Sequence, residues 1–119
     1  MFDLINEIGQ KTRLLDAAVS ELRKRGQAFS QAEFDYRVAL SKEILLERDK
    51  GTPVTIVSDV CRGKPQIAKL RFDRDCAEVV YKAAQEAINA YKLQIKILDA
   101  QVEREWHSAS TNQSNGYSC

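Results

Sequence analysis

What this sequence lacks narrows it first. Its 119 residues hold two prolines, five glycines, one histidine and three cysteines. So few breakers, beside 29% charged and 44% hydrophobic residues, match long helices and not a sandwich or barrel, whose turns consume glycine and proline. The net charge of +1 provides no global field to draw the chain to DNA or an anionic membrane, so any basic function is confined to a local patch. No apolar run approaches the roughly 18 residues of a membrane span, and "MFDLINEIGQK" has neither a basic leader nor a continuous apolar core for export. The expectation is a cytoplasmic protein without membrane contact. Cys61, Cys76 and Cys119 show no C-x-x-C spacing, and only His107 could join them as a ligand, which is too few for a zinc site. Reduced thiols are expected, with no metal and no cofactor.

Catalytic groupings are equally sparse. Hydrolysis or group transfer needs a nucleophile with its base, or paired carboxylates in a cleft, and a chain built of helix-seam positions offers no concavity for them. Glu7 with Lys11, and Glu103 with His107, have the spacing of surface pairs on a helix. The chain therefore reads as a non-enzyme.

What is present is periodicity. Gly51, Pro53, Gly63 and Pro65 cluster, with only Gly9 and Gly26 before them and no breaker from 66 to 107. This predicts one helical domain over 1–107, with arms at about 3–50 and 65–107 and a connector at 51–64. The remainder, 108–119, reads "SASTNQSNGYSC", too polar to bury enough surface for order of its own. The second arm carries Ile67, Leu70, Ala77, Tyr81, Ala84, Ile88, Tyr91, Ile95, Leu98 and Val102 at alternating steps of three and four, broken only by Arg74. The first repeats Ile8, Leu15, Leu22, Phe29 and Tyr36 at sevens, with Glu43 in the next slot. A heptad kept this long implies a helix wrapped against another helix. Gly26, followed by Ser30 and Glu33 as a capping box, suggests a break in the first arm, but the repeat keeps its phase across it, which favours one continuous helix.

Two arms and a short connector predict an all-α fold, a long antiparallel, coiled-coil-like hairpin. Facing the two repeats about the connector sets Leu15 opposite Val102, Tyr36 opposite Tyr81, and the two exceptions, Glu43 and Arg74, opposite each other as an ion pair that fixes register. In the connector, Thr52 before Pro53 is a helix start, and Ile56, Val57, Val60 and Cys61 follow helical spacing, so a short helix at the tip is expected, covering the seam with Val54, Val57 and Val60.

The stretch "RGKPQIAKLRFDRD" places Arg62, Lys64, Lys69 and Arg71 at that tip, a candidate contact for nucleic acid or another anion. It is not a phosphate-binding loop, because the second glycine and the hydroxyl after lysine are missing, and its likeness to a helix-turn-helix is offset by Asp73 and Asp75. A second stripe on the later arm, Cys76, Val80, Ala83, Ala87 and Ala90, extended by Leu93 and Ile97, is a candidate face for self-association, with Val38, Ile44, Leu45 and Leu46 adding apolar surface on the first arm. Two hairpins joined there would form a four-helix dimer; the alternative is a monomer whose first helix folds back at Gly26.

Over "YRVALSKEILLERDKGTPVTIVSDVCRGKPQIAKLRFDRD" the chain resembles small helical proteins of bacteriophages and prophages, a similarity that extends over residues 20–106. The resemblance implies a phage-related helical protein working in the host cytoplasm and carries no functional residues with it. Two functions follow as expectations: an interaction or scaffold protein, acting as adaptor or inhibitor through protein contacts, or an accessory nucleic-acid binder using the basic tip.

Overall fold

Apolar residues at heptad spacing, with no proline before the connector, let the first helical ladder run uninterrupted: α1 spans Phe2–Asp49. A proline has no N–H to lose at a helix start, and α3 begins on one, spanning Pro65–Tyr117. The short α2, Val57–Arg62, lies between them. The computed structural model describes residues 1–117. Among these residues there is no strand, and α1 packs against α3 as an antiparallel helical hairpin.

The chain divides into two units, one formed by Met1–Glu21 with Gln85–Cys119, the other by Leu22–Ala84. Each takes one length of α1 and one of α3. In the first, Ile8 and Leu15 on α1, and Tyr91, Ile95, Leu98 and Val102 on α3, are half-buried, and Ile88 is buried. In the second, Phe29 and Tyr36 on α1 and Ile67, Leu70, Ala77 and Tyr81 on α3 are covered, with Tyr36 and Ile67 buried beside Val57 and Cys61. The heptads thus mark the inward stripes correctly in both units.

Helix α1 passes through Gly26 without a break. A side chain is missing there for a reason. A Cβ on Gly26 would lie 3.1 Å from Cε2 of Tyr81, so the glycine lets the Tyr81 ring approach the α1 backbone. That ring also meets Phe29, with centroids 6.0 Å apart and planes tilted by 36°.

The contact corrects the expected register. Sequence spacing sets Tyr81 against Tyr36 and Arg74 against Glu43; the structure sets Tyr81 against Phe29, and Arg74 over the Tyr36 ring at 4.8 Å. Both of these α3 residues meet a partner one heptad earlier in α1 than spacing suggests. A seven-residue repeat is satisfied by any whole-heptad shift, so the repeat alone leaves register open. The connector closes it. Helix α1 ends in a Schellman turn: Gly51 N–H donates to the Arg48 carbonyl at 3.0 Å, Thr52 N–H donates to the Glu47 carbonyl at 3.1 Å, and Gly51 has φ of +92°. Alanine at this left-handed position is expected to cost about 1 kcal/mol, measured as a lower midpoint of chemical unfolding for Gly51→Ala; an unchanged midpoint would mean the turn does not hold the tip.

Beyond that turn, α2 starts at Val57, later than Thr52 and Pro53 suggest. Ile56 occupies its N-cap without a side-chain bond, since isoleucine has no acceptor to offer, and the Thr52 hydroxyl is engaged with Glu47 instead of capping a helix. Val57 and Cys61 are the residues that α2 buries, whereas Val54 and Val60 are exposed, so the expected valine cap is replaced by one valine and a thiol. At the far end α3 continues past 107 through Tyr117, since a stretch with no proline can extend a helix already nucleated. Of the polar segment expected at 108–119, residues 118–119, Cys119 included, lie outside the described residues.

Candidate functional site

The α1 seam does not end at Tyr36. It continues as Glu43, half-buried, and Glu47, buried at 8% exposure, acids where apolar residues would be expected. Two carboxylates one helical turn apart on a covered face need a cation, and the connector delivers it. Lys64 Nζ donates to Glu43 Oε2 at 2.8 Å and to Glu47 Oε1 at 2.5 Å, while the Thr52 hydroxyl donates to Glu47 Oε2 at 2.8 Å. The Lys64 and Thr52 hydrogen bonds pull Glu47 down to about 2, the Lys64 hydrogen bond lowers Glu43, and both glutamates raise Lys64. Lys64 is therefore a structural clamp and not a free anion contact. Glu43 pairs with Lys64 in place of Arg74, a direct result of the heptad shift. Sequence reasoning missed Glu47, although its place seven residues after Leu40 was the available signal.

Arg74 occupies a seam slot near Glu33. Its Nη1 donates to Glu33 Oε2 at 3.3 Å, and its Nε and Nη2 donate to Asp75 Oδ1 at 3.1 and 2.9 Å. Glu33 also accepts from Arg37 Nε at 2.5 Å, and this bond above all, with Arg74 adding, holds its carboxyl below the usual range. One carboxylate so fixes two guanidinium groups side by side. These two, together with Arg62 at the end of α2 and Arg71 on α3, line a cleft of about 350 Å³ whose remaining wall is Tyr36 and Leu40. The planar donor fork of arginine fits phosphate or carboxylate oxygens in pairs, which lysine cannot do.

The four basic residues proposed at the tip are thus separated into two kinds. Arg62 and Arg71 enter the cleft. Lys64 is clamped, and Lys69 is bonded to Asp73 at 2.6 Å, with its Nζ 5.4 Å from the Phe72 ring centroid. Arg37 and Arg74 complete the set. Arg37 lies on the other arm, far away in sequence, and only folding makes it a neighbour.

Elsewhere, the stripe residues Cys76, Val80, Ala83 and Ala90 are exposed and Ala87 is half-buried. Cys61 and Cys76 are free thiols, the former fully buried. Among the described residues, no group of three or more histidine, cysteine, aspartate or glutamate side chains could hold a metal ion, and no helix is long and apolar enough to cross a membrane. No protein-family model matches the chain, and neither a curated protein nor a solved structure shows significant similarity to it.

Proposed function

We propose that this protein is a non-enzymatic helical interaction protein, a phage-type adaptor or inhibitor in the host cytoplasm, that self-associates by pairing α3 with α3 of a second copy. One observation carries the reading: α3 spends its inward face on α1 and still presents large apolar side chains to solvent. Val79 and Val80 are 67% and 40% exposed in the unit Leu22–Ala84, and in the other unit Leu93 and Ile97 are 58% and 55% exposed. Exposed apolar side chains on α3, with alanines between them that permit close approach, suit helix-to-helix contact better than solvation. The nucleic-acid alternative is weakened, because Lys64 and Lys69 are hydrogen-bonded to carboxylates and Arg62 has Asp59 at 3.7 Å, which leaves Arg71 alone of its four basic contacts outside an ion pair.

Light scattering after size exclusion tests the proposal. A dimer is expected at micromolar concentration, and Val80→Glu with Ile97→Glu should weaken it by at least about tenfold, as a charge without a partner is driven into an apolar contact, while helicity by circular dichroism stays unchanged. A fully helical wild-type monomer would refute it.

A further inference from the structure

The cleft of Arg37, Arg62, Arg71 and Arg74 has more positive charge than its own carboxylates offset. Glu33 serves Arg37 and Arg74, and Asp75 serves Arg74 again. Arg62 has only Asp59, at 3.7 Å, too far for a hydrogen bond and itself highly exposed. Arg71, exposed, has no acidic partner among the described residues. Glu33 and Asp75 engage Arg37 and Arg74, whereas Arg62 and Arg71 have no hydrogen-bonded carboxylate, so two guanidinium forks remain available to an incoming anion.

We propose that this cleft is a binding site for a single phosphoryl group, carried by free phosphate or a small phosphate monoester. A phosphate monoester brings close to two negative charges and three terminal oxygens, enough for Arg71 and Arg62 to bond at once, whereas a carboxylate has one charge and would satisfy a single fork. The volume of about 350 Å³ lies at the small end of ligand pockets, near 300 Å³, and Tyr36 and Leu40 give the organic part an apolar wall. Arg74, held over the Tyr36 ring and bonded to Glu33 and Asp75, is fixed before a ligand arrives. A nucleic-acid strand fits less well: its backbone would have to run past exposed Asp59 and Asp75, and the near-neutral chain supplies no extended basic track.

The test is titration calorimetry on the full chain at constant ionic strength, with chloride as reference. The probes are inorganic phosphate, phenyl phosphate and a ten-nucleotide single strand. Phosphate and phenyl phosphate should bind saturably. Arg71→Gln should weaken both by about tenfold and Arg62→Gln by several-fold, the loss of a charge-assisted hydrogen bond, with circular dichroism unchanged. Lys69→Gln, outside the cleft, should bind as wild type. Absence of saturable phosphate binding, or equal affinity of Arg71→Gln and wild type, would overturn the site. Tighter binding of the oligonucleotide than of phenyl phosphate, with a salt slope worth several ions, would overturn the small-ligand assignment in favour of a nucleic-acid backbone.

Discussion

Ile67→Ala should lower the unfolding free energy by about 3 kcal/mol, near the middle of the range for large-to-small changes in a packed core. Ile67 is 1% exposed and, with Cys61, is one of the two largest fully buried side chains. It stands in the first turn of α3, in the unit that also buries Tyr36, Val57 and Cys61. A hairpin exposes much of each helix, so its stability rests on few enclosed residues, and a domain of this size has only about 5–15 kcal/mol in total. Thermal unfolding followed by circular dichroism should show a midpoint lower by roughly 10 °C, given that about 1 kcal/mol moves a chain of this length by several degrees. Val54→Ala is the control. Val54 is 71% exposed in the same connector and its truncation should change stability by less than about 0.5 kcal/mol. A loss at Ile67 no larger than at Val54 would mean the tip is not the enclosed core of its unit.

The success at Ile67 and the failure at Arg74 have the same origin. Spacing reports which face of a helix is covered, because burial acts on each residue's own angle around the axis; hence every seam position from Ile67 to Val102, Arg74 included, is at least half-covered. Spacing does not report which partner residue covers it, because a repeat slid by seven covers the same faces. Register depends on the short, irregular connector, where one left-handed glycine and one half-buried lysine decide the geometry. Those determinants have no period to read. The candidate cleft was half legible for a related reason. Arg62 and Arg71 lie in one visible basic run, but Arg37 joins them only across the hairpin and Arg74 looked like a register residue. Glycine at position 26 could be read as a break or as part of a continuous helix, and the unbroken heptad phase decided for the continuous helix that α1 is, whereas the Tyr81 ring packed against that glycine had no signal in the spacing.

The pH response of the Lys64 clamp gives the second large effect. Glu47 titrates at about 2 in the folded chain against an ordinary 4.5, and Glu43 is lowered as well. A depressed carboxylate contributes stability in full above its ordinary value and loses it as pH falls toward its folded value, here between about 4.5 and 2. Lys64 is raised above 10.5, so its share is complete below that pH and is lost above it. The clamp is therefore fully effective at neutral pH and fails in acid. Lys64→Met removes the one cation bonded to both carboxylates, since Lys50 reaches only Glu47, at 3.4 Å, and is itself mostly exposed. Glu43 and Glu47 are then like charges on a covered face, and both will bind protons more readily than in the wild type. At pH 7 the variant should melt roughly 5–10 °C below wild type. The gap should narrow as pH drops from 5 to 3, because protonation relieves the variant's repulsion while it removes the wild type's bonds. Melting curves at pH 7, 5 and 3 measure this directly, and a gap that stays constant across them would show that Lys64 supports the tip by packing alone.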